Sequence, residues 1–148
     1  MKYFTIKEFI KSTTASLKKL DNTPTEEHRG NLIALVENLL DPIREEWTEY
    51  CKTNHLGNPG IRVNSGYRSK ALNEAVGGSK NSDHLKGCAA DIVPVNGNYK
   101  AFDRFIDKMV QKYAFTQIIR EKPRNDIPSW WHLSYDHNRL KKQYFTLI

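Results

Sequence analysis

The chain has 148 residues, of which 39% are hydrophobic and 27% are charged, a length and a composition typical of one soluble domain. It carries 23 Lys and Arg against 17 Asp and Glu, a formal net charge of +6, but these positive charges are scattered and match no nucleic-acid-binding signature. No segment approaches the roughly 18 apolar residues of a membrane span, and the charged start of the chain predicts no secretory signal peptide.

The first third of the chain has the patterns of helices. Thr5, followed by Glu8 three residues later, has the spacing of a capping box and predicts a short helix through about Lys11. The segment Thr23-Pro24-Thr25-Glu26 repeats this spacing and predicts a second helix start. Pro24 would occupy the first helical position, where its missing N–H is not needed.

A longer helix follows, because apolar residues recur there three or four positions apart. These residues are Leu32, Leu35, Val36, Leu39, Leu40, Ile43 and Trp47. Pro42 lies inside the pattern and should kink or split the helix, since proline lacks an N–H and crowds the preceding turn. Gly57, Pro59 and Gly60 mark its end and a loop.

The rest of the chain combines strands with two helices. Strands are predicted over 61–64, 89–93, 117–120 and 130–134, and a further one is possible over 143–148.

The first of the two helices is predicted from Ser69 to about Val76, closed by Gly77 and Gly78, and residues 79–87 are predicted to be a loop. The second has an apolar stripe made of Phe102, Phe105, Ile106, Met109, Val110 and Tyr113. We therefore predict one α+β domain over 1–148, helical to about residue 57, with a small, mostly antiparallel sheet from about residue 58 onwards.

Two cysteines, Cys51 and Cys88, are too few for a disulfide scaffold and lack the spacing of a C-x-x-C motif. Cys88 precedes Ala89 and Ala90, so we interpret it as a small buried thiol. The sequence leaves open whether the two cysteines form a bridge.

Three residues of the second half form a candidate metal site. His84 lies in a glycine-bearing loop, and Asp91 follows inside a run of small and apolar residues, where a carboxylate needs a partner or a metal. His132 lies in another predicted strand, next to Trp130 and Trp131. Two histidines and one carboxylate suit a catalytic zinc ion with a fourth position open. On spacing alone, a hydrogen-bonded core histidine remains an open interpretation.

Ordered motifs surround these residues. They are Asn64-Ser65-Gly66-Tyr67-Arg68-Ser69, Leu72-Asn73, Val76-Gly77-Gly78-Ser79, Ser82-x-His84-x-x-Gly87-x-Ala89-x-Asp91 and Trp131-His132. In this order they resemble the zinc D-Ala-D-Ala peptidases, which are bacterial and phage enzymes with the Hedgehog/DD-peptidase fold. Phe4-Thr5 with Glu8-Phe9, and Asp21-Asn22-Thr23-Pro24, are similar to one branch of that family, so the resemblance spans nearly the whole chain.

The resemblance implies roles residue by residue. His84, Asp91 and His132 match the ligands of one zinc ion per chain. Arg68 matches the arginine that steadies the substrate carbonyl and the oxyanion formed on attack, a task that suits a permanently charged guanidinium. Three further residues match positions near the site, where they either bind substrate or hold the loop: Ser65, Tyr67 and Ser82.

The general base is the point at which the chain departs from the family. In many relatives a Glu or His three residues before the last zinc ligand takes this role, but here the residue is Ser129. A serine cannot take a proton from water at neutral pH without help, so another residue serves or the protein is inactive. We select Glu121, with an exposed loop carboxylate as the alternative interpretation, and Asp126 as a weaker candidate. We expect no metal binding by the remaining histidines, which are His28, His55 and His137.

The resemblance implies metal-assisted hydrolysis of peptidoglycan stem peptides at bonds involving D-alanine, of the carboxypeptidase or endopeptidase type. We expect a monomer that acts on the bacterial cell wall, an anionic partner that fits the basic charge. The alternative is a non-catalytic wall-binding or phage structural module that keeps the fold, with Ser129 as the trace of a lost base. Nucleic-acid binding ranks last, because it leaves the ordered motifs unexplained.

Overall fold

The computed structural model describes all 148 residues. Its N-terminal part begins with two short helices, α1 (Ile6–Ile10) and α2 (Thr13–Leu17). The predicted capping box is confirmed, since the Thr5 N–H donates to Glu8 Oε2 at 2.7 Å. Helix α2 was not predicted; its N-cap is Ser12, whose hydroxyl accepts the Ala15 N–H at 3.1 Å.

The long helical region consists of α3 (Glu26–Leu35), a π-helical turn (Val36–Leu40) and α4 (Asp41–Thr53). Helix α3 begins two residues later than predicted, because Thr25 is the N-cap and its hydroxyl accepts the His28 N–H at 3.1 Å. The prediction that Pro24 occupies the first helical position is therefore wrong. Pro42 does not end the region; it lies in the first turn of α4, directly after the π turn, which adjusts the backbone to a residue without an N–H.

A five-stranded sheet forms the second part. Its strands are β1 (Ile61–Ser65), β2 (Ala89–Pro94), β3 (Gln117–Glu121), β4 (Trp130–Ser134) and β5 (Gln143–Leu147). Their order is β1-β2-β4-β3-β5, and every neighbouring pair is antiparallel except β3 and β5. The predicted α+β class and mostly antiparallel sheet are confirmed, and the possible fifth strand is present.

Three further elements connect the strands: α5 (Lys70–Ala75), a 3₁₀ turn (Asp83–Lys86) within the predicted loop, and α6 (Tyr99–Lys112). Helix α5 begins as predicted, with the Ser69 hydroxyl accepting the Leu72 N–H at 3.2 Å. No helix is long and apolar enough to cross a membrane.

The core lies between the helices and one face of the sheet. Trp47 of α4 meets Phe102 of α6 edge-on at a ring-centroid distance of 4.9 Å, and Phe102 meets Trp131 of β4 in the same way at 4.7 Å. Both cysteines are buried and free, so they form no bridge in this structure. Successive side chains of a strand point to opposite faces, so every second strand residue lies on the face of the sheet that the helices do not cover.

Candidate metal centre

The sheet itself brings two of the candidate ligands together. Asp91 in β2 pairs directly with His132 in β4. Their strand neighbours Ile92, Trp131 and Leu133 belong to the helix-facing core, so Asp91 and His132 lie on the opposite face by the two-residue period of a strand. We call this the site face.

The third candidate, His84, reaches the site face from the 3₁₀ turn before β2. The Ser82 hydroxyl caps this turn by accepting the His84 N–H at 3.2 Å. Gly87 ends the turn with φ +73°, and a Cβ there would meet the His28 carbonyl oxygen at 2.4 Å. The chain therefore turns tightly back towards β2 at a position that requires glycine.

The three side chains form one buried cluster. His132 Nδ1 lies 3.0 Å from Asp91 Oδ1, and His84 Nε2 lies 3.3 Å from the same oxygen. None of the three residues is more than 8% exposed, and one ligand atom from each lies within 4.8 Å of the others.

The donor set of this cluster fits a zinc ion. His84 Nδ1 lies 2.6 Å from the Gly66 carbonyl oxygen; since a carbonyl only accepts, Nδ1 carries the proton and Nε2 presents a lone pair. Burial raises the pKa of Asp91, but the hydrogen bond from His132 and the adjacent His84 ring outweigh it and hold that pKa well below its usual range. An ionised carboxylate between two imidazoles is the set that zinc prefers.

Arg68 lies beside this cluster, held from several sides. Its Nη2 is 3.6 Å from Asp91 Oδ2, its Nε donates to the Ser65 hydroxyl at 3.0 Å, and its Nη1 donates to Asn73 Oδ1 at 3.2 Å. Burial lowers the pKa of Arg68, opposed by the charges of Asp91 and Glu121. The guanidinium stays charged and is fixed in direction.

The residues predicted near the site make mainly structural contacts in this structure. Ser65 bonds to Arg68, and Ser82 caps the His84 turn. Tyr67 is only 7% exposed, and its ring lies 5.4 Å from that of His28.

Glu121 is the last residue of β3. Ile119, two positions before it, pairs with His132 of β4. Because alternate residues of a strand share a face, Glu121 lies on the site face together with His132. Burial and the charge of Asp91 raise the pKa of Glu121, while His132, the Trp130 indole and Lys122 lower it, for a net rise. Glu121 therefore lies on the same face of the sheet as the metal cluster, two strand positions from the residue that pairs with His132.

Ser129 and the weaker candidate for the base, Asp126, have other contacts. The Ser129 hydroxyl donates to the Lys122 carbonyl at 2.6 Å. The Asp126 side chain is 91% exposed and lies 3.6 Å from Arg120 Nη2, and Arg120 pairs with the core residue Trp131. Asp126 therefore belongs to the face opposite the metal cluster. The histidines expected not to bind metal also lie outside the cluster, which contains only His84, Asp91 and His132.

Two asparagines that the sequence analysis left without a role support the site. Asn22 is 8% exposed; its amide donates to the Ile10 and Tyr67 carbonyls at 2.8 and 3.1 Å and accepts the Ser69 N–H at 2.8 Å. Asn73 accepts from Arg68 and donates to the Ser79 carbonyl at 2.9 Å. Both occur inside the motifs, which was the available signal, but the partners of Asn22 lie up to 47 residues away.

Comparisons with known proteins agree with the motifs. The sequence model of the peptidase M15 family matches residues 2–122, a range that includes His84, Asp91 and Glu121 but stops short of His132. A zinc D-Ala-D-Ala carboxypeptidase of Streptomyces albus G is 32% identical over 73 residues, which are 49% of this chain and 27% of that protein. The similarity thus spans about a quarter of the relative's length.

Proposed function

Because the chain belongs to the peptidase M15 family, we propose that it is a zinc peptidase that hydrolyses bonds involving D-alanine in peptidoglycan stem peptides. The observation that carries the proposal is the buried cluster of His84, Asp91 and His132, with Arg68 3.6 Å from Asp91 and Glu121 on the same face of the sheet. The substrate class is supported by the relative whose name includes D-Ala-D-Ala. Both the carboxypeptidase and the endopeptidase type are compatible with this site.

His84, Asp91 and His132 would hold one zinc ion per chain. When bound there, zinc supplies Lewis acidity, which polarises a carbonyl group and makes water more acidic. The Gly66 carbonyl keeps His84 in the tautomer that offers Nε2, and such outer hydrogen bonds orient the ligands of a metal.

Glu121 is the proposed general base. Its carboxylate accepts a proton from the attacking water as the water oxygen bonds to the substrate carbonyl carbon, and it delivers that proton to the leaving amine as the C–N bond breaks. Burial beside Asp91 raises its pKa, which makes it a better proton acceptor than an ordinary exposed glutamate. In this proposal Glu121 supplies the general base, so no base is required at position 129.

Arg68 is proposed to stabilise the negative charge that develops on the substrate carbonyl oxygen. Its contacts with Ser65 and Asn73 direct the guanidinium before substrate arrives, and donors fixed in advance are the effective ones in catalysis. We propose that Ser65 acts through Arg68 and Ser82 through His84, while Tyr67 holds the loop between them.

The proposed place of action is the bacterial cell wall, with the protein acting as a monomer. Purified peptidoglycan is incubated with the protein, with and without a chelator, and the fragments are identified by mass spectrometry. The proposal expects new fragments cut beside D-alanine that disappear with chelator and return with zinc. Binding to the wall without any new fragment would support the non-catalytic wall-binding alternative instead.

A further inference from the structure

A second surface adjoins the candidate metal centre, and the part of it beyond Ser65 and Arg68 has no role in the mechanism above. This surface, the basic cleft, has a volume of about 570 Å³ and lies between the end of α1, the start of α2, strand β1 and α5. Lys11, Arg62, Ser65 and Arg68 are among its lining residues. The cleft thus meets the centre at Ser65 and Arg68, and it leads away from the metal cluster towards Arg62 and Lys11.

The register of β1 puts Arg62 on the site face. Arg62 pairs with Val93, two residues from Asp91 along β2, and Ser65 pairs with Asp91 itself. A β-bulge between Val63 and Ser65 places Ser65 opposite Asp91, because without the extra residue Asn64 would take that position. Two strand residues span about 7 Å, so Arg62 lies about that far along the sheet from the centre.

Positive charge exceeds negative charge in the cleft, which is lined by Lys11, Arg62 and Arg68 but by only one carboxylate, Glu8. Lys11 and Arg62 are both exposed and take part in none of the ion pairs of the protein. The Nε of Arg62 donates to the neutral Asn64 side chain at 3.2 Å, which leaves its terminal nitrogens free. The carboxylate of Glu8 accepts the Thr5 N–H and keeps its charge, so one negative charge stands against the three positive charges of the lining.

We propose that the basic cleft binds a free carboxylate of the peptide substrate, located about two to three residues from the scissile bond. An extended peptide advances about 3.3–3.6 Å per residue, which matches the separation between Arg62 and the centre. The terminal nitrogens of the Arg62 guanidinium pair with the carboxylate, and Lys11, at the end of α1, adds a second positive charge. This inference rests on the proposed peptidase function and adds a specificity for acidic peptides.

The test uses two synthetic peptides that end in D-Ala-D-Ala and differ in one group. One carries a free carboxylate two residues before the scissile bond, and the other carries a carboxamide there. We expect the wild type to favour the carboxylate peptide in kcat/KM by about fivefold, the range of an exposed ion pair. Arg62→Gln and Lys11→Gln should move this ratio towards one, whereas Arg104→Gln, an exposed arginine on α6, should keep it.

Binding is measured separately by calorimetry with both peptides N-methylated at the scissile amide. Tighter binding of the carboxylate form, lost in Arg62→Gln, supports the cleft even if neither parent peptide is cleaved, in which case only the peptidase proposal fails. Cleavage of both parent peptides with a ratio near one in the wild type overturns the cleft and leaves the peptidase proposal standing. Absence of any binding preference also overturns the cleft.

Discussion

His84 Nδ1 donates to the Gly66 carbonyl oxygen at 2.6 Å, and the backbone N–H of Arg68 donates to the backbone carbonyl of His84 at 3.0 Å. These two bonds join the turn that carries a candidate metal ligand to the loop that carries the candidate oxyanion group. Because two hydrogen bonds join the same two segments, a shift of either segment disturbs the other. The metal cluster and Arg68 are therefore expected to behave as one unit.

Replacing His84 tests the metal ligands. We expect His84→Ala to lose nearly all of the one zinc ion per chain, because only two donors of the cluster remain. Elemental analysis after gel filtration measures the zinc content. The matched control is His137→Ala, an exposed histidine outside the cluster, which should keep its zinc. Wild-type zinc content in His84→Ala would exclude the proposed ligand set.

Replacing Glu121 tests the general base. Glu121→Gln keeps the size of the side chain but cannot accept a proton, so turnover of a stem peptide should fall about 10²- to 10⁴-fold while zinc content stays unchanged. Asp126→Asn is the control, since that side chain is 91% exposed and pairs with Arg120. If Asp126→Asn lost activity and Glu121→Gln did not, the roles of the two acids would be reversed.

The sequence predicted the strands and the candidate ligands, but it did not predict the hydrogen bonds and the register that hold the site residues in place. Local signals were sufficient where short-range physics decides, as at the Ser69 N-cap and the alternation around Asp91. They failed where the partner is remote: the bulge beside Asn64 depends on the register with β2, and the bonds of Asn22 span up to 47 residues. The start of α3 was misplaced because Thr23 and Thr25 have equally good capping chemistry.

Cys88 provides a pH-dependent prediction away from the catalytic step. Burial raises the pKa of its thiol to about 11 from 9.0, with further rises from the charges of Asp136 and Asp83. The thiolate is the reactive form, and its fraction at pH 8 should be about a hundredfold lower than that of an ordinary thiol, because the pKa is a logarithmic measure of proton affinity. A thiol-specific chromogenic reagent should react slowly with the folded protein at pH 8 and faster as the pH approaches 11. In denaturant both thiols should react at once; equally fast reaction of the folded protein would contradict the buried state.

Asn22 is expected to stabilise both the fold and the position of Arg68. Asn22→Ala removes three hydrogen bonds and leaves the buried Tyr67 carbonyl and the half-buried Ser69 N–H without this partner, so the free energy of unfolding should fall by about 2 to 3 kcal/mol. Urea denaturation measures this loss. Asn31→Ala is the control, because Asn31 makes one exposed bond to the Lys86 carbonyl and should lose less than about 1 kcal/mol.

The catalytic part of this prediction is a fall in kcat at unchanged zinc content. Tyr67 and Ser69 flank Arg68, so loss of their common partner should let the guanidinium drift from its direction towards Asp91. A stability loss with kcat at the wild-type value would restrict Asn22 to a structural role.

Arg139 is expected to hold the His84 turn against the end of β4. Its Nη2 bonds to Asp83, which precedes His84, and its Nε donates to Asp136 at 3.0 Å, shortly after His132. Arg139→Ala leaves the 7%-exposed Asp83 as an unpaired buried carboxylate. We expect a loss of about 2 kcal/mol in the free energy of unfolding, below the ~3–5 kcal/mol of a fully buried pair, because the Arg139 side chain is 37% exposed.

The same replacement should speed the release of zinc to a chelator, since the turn that carries His84 loses its tie to the segment that follows His132. The control is Asp83→Asn combined with Arg139→Ala: the neutral amide removes the unpaired charge, so the double variant should regain part of the lost stability. Zinc release should stay fast in the double variant, because the tie remains broken. A return of slow release together with stability would show that Arg139 acts on the fold alone and not on the position of His84.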